Sequence, residues 1–204
     1  MAAGNRPGCL YQKPALARKN NILMDSNILT MKKLVIISHP HMDESNVHRA
    51  WKEELLKLNA PDITVHDIYE AYPDGKIDVA SEQRLVEAHD CIIFQFPVYW
   101  YSSPALLKQW EDDVLAQGWA YPGKYALEGK SITCAVSAAG GAEDYSKHGK
   151  AGHTIEEVLL PYRLTASFIH ANYLPSFAWY NAEGISPEHL KASLPAYISF
   201  IKSM

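Results

Sequence analysis

Five short apolar runs recur between residues 34 and 202, each closed by a polar or proline-bearing loop and followed by an amphipathic segment. They are Leu34–Ser38, Ile63–Ile68, Cys91–Phe96, Ser131–Ser137 and Asn172–Phe177. Runs this short, rich in β-branched residues in the first four cases, read as strands. Trp51, Leu55, Leu56 and Leu58, expected on one side of a helix, Leu85 and Val86, expected to face inward, and Leu106, Leu107, Trp110 and Val114 mark the segments between them as helical. Two further helices are expected, over 154–168 with a bend at Pro161 and over 187–202 with Ser186 as its cap. Strict alternation of strand and helix predicts a five-stranded parallel sheet with helices on both faces.

The third run organises the rest. It ends at Pro97, which has no N–H to give a sheet ladder. The aromatic loop Val98-Tyr99-Trp100-Tyr101-Ser102-Ser103 follows, and Pro104 then opens a helix. Flat side chains and free backbone amides are thereby gathered at the carboxyl edge of the sheet, where open α/β folds bind ligands. The loop after the first strand, His39 to Asn46, is polar and leads into a helix start capped by Ser45 or Asn46, an arrangement suited to an anion. After the fourth strand comes the small-residue loop Ala138-Ala139-Gly140-Gly141, where a backbone can approach a ligand closely.

Several classes are disfavoured. A chain of 204 residues, 48% hydrophobic and with net charge −4, suits one globular core and shows no electrostatic footprint for nucleic acid. Cys9, Cys91 and Cys134 form no metal or disulfide pattern, which points to reduced thiols in a reducing compartment, with Cys91 and Cys134 inert in the core. No glycine-rich dinucleotide fingerprint follows the first strand, and neither a Walker motif nor a serine nucleophile elbow is present. Residues 1–31 carry net charge +3 against −7 for the remainder, and are expected to form a loosely held extension before a domain spanning 32–204.

His39-Pro40 with Ser45 six residues after the histidine, the stretch from Phe96 to Pro104 followed by Leu106-Leu107-Lys108-Gln109-Trp110, Gly118-Trp119-Ala120-Tyr121, and Leu127-Glu128-Gly129-Lys130 together resemble one family. It is the NAD(P)H:quinone oxidoreductase branch of the flavodoxin-like fold, nearest to the ancillary flavoproteins of glutathione-gated potassium efflux systems and to general stress protein quinone reductases. The resemblance implies sheet order 2-1-3-4-5. It also implies FMN as cofactor, with FAD open, and NADPH or NADH as co-substrate. The activity implied is two-electron quinone reduction by hydride transfer through flavin N5 in a homodimer. The alternative is a regulatory subunit of a potassium antiporter, and either form would be cytoplasmic.

Residue roles follow from the same resemblance. His39 and Ser45 would bind the flavin phosphate. Pro97, Val98, Tyr99, Trp100 and Tyr101 would line the ring system, and Ser137, Ala138, Ala139, Gly140 and Gly141 would pass its pyrimidine side. His48 belongs to the cofactor group and stands where family members often have Asn; Ala138-Ala139 replaces a frequent Thr-Gly. Tyr145 would donate near flavin N1 and O2, assisted by His153 or, as second candidate, His148.

Overall fold

The period-two alternation of side chains along buried strands divides the interior into two cores. The structure, a computed structural model, describes residues 31–204, so the extension expected over 1–31 lies almost wholly outside the described residues. The chain runs β1 (Lys33–Ile37), α1 (Asn46–Leu58), β2 (Ile63–Asp67), α2 (Ile68–Ala71), α3 (Val79–Glu87), β3 (Cys91–Pro97), α4 (Ala105–Val114), β4 (Gln117–Gly118), β5 (Tyr121–Gly123), β6 (Ser131–Ser137), α5 (Ile155–Val158), α6 (Leu160–Phe168), β7 (Asn172–Tyr173), β8 (Phe177–Trp179) and α7 (Pro187–Ser203). The main sheet has the order β2-β1-β3-β6, with β7 and β8 both pairing β6, and every pairing is parallel.

Leu34, Ile36, Ile92, Phe94, Phe96, Ile132, Cys134 and Val136 face one layer, where α4 and α6 supply Leu107, Trp110, Tyr162 and Ala166. Val35, Ile37, Cys91, Ile93 and Ala135 face the other, covered by Val47, Trp51 and Leu55 of α1 and Tyr197 and Ile201 of α7. Trp51 and Tyr197 stack at 4.5 Å, 6° from parallel. Trp51 and Trp110 are each fully buried; each removes about 150–250 Å² from water, worth at most about 4–6 kcal/mol by area.

The fifth strand differs from its sequence reading. It is two pieces, interrupted at Leu174-Pro175-Ser176 and continuing to Trp179 rather than stopping at Phe177. Pro175 cannot donate to β6, and the break is closed by Thr133 Oγ1 donating to Pro175 O at 3.0 Å and Ser176 N donating to Glu156 Oε1 at 2.8 Å. The helix expected over 154–168 is likewise two, α5 and α6, the second with its proline in the first turn. Pro104 is the residue before α4 rather than its first turn. Leu56, expected beside Trp51 and Leu55 on one side of α1, is exposed, because the residue after buried Leu55 turns off the packed face. The aromatic loop around Trp119 holds the β4–β5 ribbon. Among the described residues no helix is long and apolar enough to cross a membrane.

A buried carboxylate docks α3 onto the first layer. Glu82, 1% exposed, accepts from Tyr72 Oη at 2.5 Å and Trp110 Nε1 at 2.7 Å, and pairs with His66 Nε2 at 2.8 Å. Burial pushes its carboxyl up, but the bonds from His66, Tyr72 and Trp110 outweigh that and hold it below the usual glutamate value. The stabilisation is therefore present above the unfolded-state value of about 4.3 and is lost as pH falls through the lower folded value. Replacing Glu82 by Leu leaves the buried indole N–H without an acceptor. Urea unfolding should show a loss of about 2–4 kcal/mol, and a change below about 0.5 kcal/mol would show that the carboxylate is dispensable.

Candidate active site

The carboxyl ends of β1, β3 and β6 open into a cleft of about 470 Å³. His39, Ser45, His48, Pro97, Val98, Tyr99, Ser137 and Ala139 line it, so the structure brings together eight of the residues singled out in the sequence. Ser45 caps α1, its Oγ accepting from His48 N at 3.1 Å. The N–H groups of Asn46 and Val47, first in the helix, have no partner within it. Together with the helix dipole they favour an anion.

His39 Nδ1 accepts from His41 N at 3.1 Å, so the neutral ring carries its proton on Nε2. Burial, with His41 second, holds His39 below the usual histidine value. An imidazole N–H donor therefore lines the cleft beside free backbone donors. Glu44 and Glu183 stand exposed on its rim and oppose an anion there. A phosphate is thus best held against the helix start. Ser38 Oγ, fully buried at the end of β1, has no partner among the described residues. The donor set and the dimensions fit a phosphate-bearing ring system.

His48 is 1% exposed and fixed on both ring nitrogens: Nε2 lies 2.8 Å from Ser137 Oγ and Nδ1 3.3 Å from Gln95 Nε2. Burial, with His39 second, holds it well below the usual histidine value. Gln95 and Tyr197, which also bond to each other, were missed in the sequence. The available signal was a lone amide inside the apolar run Cys-Ile-Ile-Phe-Gln-Phe.

The aromatic loop is a tight turn. Tyr99 N donates to Ser102 O and Ser102 N to Tyr99 O, both at 2.9 Å, and the central residues Trp100 and Tyr101 have φ of 51° and 60°. Two successive positive φ values are those of a type I′ turn, a conformation that favours Asn-Gly. Trp100 is 96% exposed at its tip. Val98 separates the cleft from a groove of about 560 Å³ between α4 and α6, and Tyr101 joins that groove to a recess of about 310 Å³ containing His153. The strained turn is therefore the wall common to three cavities.

The other residues lie apart from the cleft lining. Ala138 is buried, its N–H bonded to Trp179 O and its carbonyl to Ala182 N, which leaves no polar group for a ligand. Gly141 N donates to Asp144 Oδ2 at 3.1 Å, and a Cβ on Gly140 would lie 2.7 Å from that oxygen, so these glycines serve an internal turn. Tyr145 packs beside Tyr180 with ring centres 5.7 Å apart. Burial, then Tyr101 and Asp144, push its phenol up. His153 is exposed, 3.8 Å from Glu157, and His148 is exposed. Glu111 lines the groove, its carboxyl pushed up to about 7 by burial; nothing in its surface-helix spacing singled it out.

Residues 31–201 match the Flavodoxin_2 family, described by its flavodoxin-like fold. The chain belongs to that family. Among Flavodoxin_2 relatives, the uncharacterized NAD(P)H oxidoreductase YrkL of Bacillus subtilis (strain 168) is 45% identical over 174 residues, covering 85% of this chain and 99% of the relative. The general stress protein 14 of Treponema denticola, solved in complex with FMN, is 41% identical with a TM-score of 0.79, covering 84% of this chain and 98% of that one. An NADPH-quinone reductase from P. pentosaceus is 32% identical with a TM-score of 0.75, covering 83% and 97%.

Two outcomes are expected. The neutral, buried His48 makes the unfolded chain bind more protons below its own histidine value, so stability should decline as pH falls below about 6.5. Urea titrations across that range should show the decline, and His48→Gln should flatten it; an unchanged slope would mean the imidazole is charged in the folded chain. Substituting Asn for Trp100 and Gly for Tyr101 removes the turn strain and should raise stability by about 1–2 kcal/mol in the same assay. Unchanged or lower stability would show that the turn stores none.

Proposed function

We propose that the protein is an FMN-dependent oxidoreductase that transfers two electrons from NADPH or NADH to a quinone. The carrying observation is the cleft that joins an imidazole N–H donor and a bare helix N-terminus to an aromatic turn at the switch point of a parallel sheet. The FMN of the Treponema denticola relative, the NAD(P)H oxidoreductase YrkL and the P. pentosaceus quinone reductase support the same reading. Bound FMN would supply reversible two-electron transfer through its N5.

The chain's own residues bind and orient. His39 Nε2–H and the first N–H groups of α1 hold the phosphate. Tyr99 and the backbone of Pro97 and Val98 wall the ring, and Tyr101 offers a flat surface to an aromatic substrate from the groove side, with Trp100 exposed at the tip of the same turn. Tyr145, its phenol kept protonated, and His153, in the recess it shares with Tyr101, are the proton donors of the proposal. Exposed Leu164 and Phe168, side by side on the groove, support a homodimer that covers this apolar surface.

Anaerobic absorbance titration tests the reading. Protein loaded with FMN should bleach on addition of NADPH and recover with menadione. A flavin that binds and does not bleach would favour a regulatory subunit, and a chain that binds no flavin would overturn the assignment. His39→Ala should weaken FMN about tenfold and leave riboflavin, which lacks the phosphate, unchanged. Equal weakening of both would remove His39 from the phosphate. The double turn variant should raise KM for quinone at least several-fold; an unaltered KM would exclude the turn from the acceptor site.

A further inference from the structure

Behind the cleft runs a chain of four buried polar side chains, Ser137, His48, Gln95 and Tyr197, from β6, α1, β3 and α7. Its direction can be read atom by atom. The backbone carbonyl of His48 can only accept, so the Gln95 atom 3.5 Å from it is the amide nitrogen. That same nitrogen lies 3.3 Å from His48 Nδ1, which must then accept. The proton of the neutral ring is left on Nε2, which donates to Ser137 Oγ at 2.8 Å. Tyr197 Oη donates to Gln95 Oε1 at the far end, while the His48 carbonyl, which can only accept, holds the amide against a flip.

Ser137 Oγ therefore accepts from His48, and its own proton has no other partner among the described residues. Ser137 lines the cleft. An amide flip at Gln95 would reverse every bond: Nδ1 would carry the proton, Ser137 would donate backward to Nε2, and the cleft would meet only oxygen lone pairs.

We infer that Ser137 is the donor that meets the cofactor, and that His48, Gln95 and Tyr197 are positioning residues that keep its hydroxyl proton directed into the cleft. The inference rests on the FMN reading for the identity of the acceptor, a ring carbonyl or nitrogen that gains negative charge on reduction. A donor fixed in advance costs no reorganisation when that charge appears. His48 thereby leaves the group of direct cofactor contacts and acts through Ser137.

Nitrogen-15 NMR of the histidine rings, with and without FMN, reads the tautomer directly. His48 should be neutral with its proton on Nε2, and Tyr197→Phe or Gln95→Met should lower the population of that tautomer. Anaerobic potentiometry of the FMN-loaded protein reads the consequence. Ser137→Ala, Tyr197→Phe and Gln95→Met should each reduce the preference for reduced over oxidised FMN about tenfold, a midpoint about 30 mV more negative for a two-electron couple. A proton on Nδ1 in the native protein overturns the inference. So do variants that weaken both redox forms of FMN equally, since a merely structural role leaves the midpoint where it was. Should Tyr197→Phe fail to fold, Ser137→Ala and Gln95→Met carry the potentiometric arm. Should no FMN bind, the function proposed above fails, while the tautomer of the unliganded chain still decides the direction of the relay.

Discussion

The central strand β3 is buried along all seven of its residues and is hydrogen-bonded to β1 on one side and β6 on the other. Its backbone groups are satisfied by the ladder, and both faces must be filled by side chains. Both requirements end at Pro97, whose ring cannot continue the donor pattern. The chain must leave the sheet there, level with the end of β6 at Ser137 and two residues beyond Gln95, which pairs with the last residue of β1. Three loops consequently converge on one edge, and the cleft is the space between them.

The same burial sets the terms for polar groups near that edge. Gln95 points into the layer under α1 and α7, where an unsatisfied amide would cost about 1–3 kcal/mol. It is satisfied by groups on both covering helices, His48 on α1 and Tyr197 on α7. Trp51, stacked on Tyr197 and donating to Ser193 Oγ at 3.0 Å, fixes the relative position of those helices. Packing and polar order are thus one problem with one solution: the stack that seals the second core also aims the relay that ends at Ser137. Strain is concentrated on the opposite wall, in the paired positive φ values of Trp100 and Tyr101. A turn made from two aromatics where Asn-Gly is the relaxed choice gives up stability.

Much of this was legible in the sequence. The apolar runs gave the strands, because a buried parallel strand must be apolar on both faces. The loops after the first, third and fourth strands were placed at one edge because each follows a strand end, and His39, Ser45, Pro97 to Tyr99 and Ser137 were assigned to one site by the family resemblance. The break at Pro175 and the division of α5 from α6 were less legible: a proline marks a discontinuity and says little about what bonds across it. Gln95 and Tyr197 were not legible as a pair. They stand 102 positions apart, and nothing local distinguishes a tyrosine that completes a polar chain from one that fills a core.

The sequence by itself determined the layer order, the two-faced core and the loops that meet at the carboxyl edge, because periodicity and proline are local properties that act wherever the chain goes. The tertiary structure alone decided the directions. It turned Ala138 inward, set Val98 and Tyr101 between neighbouring cavities, and chose which nitrogen of His48 holds a proton. Those outcomes depend on which donors and acceptors face one another across α1, β3, β6 and α7, and such facing pairs exist only once the layers are packed.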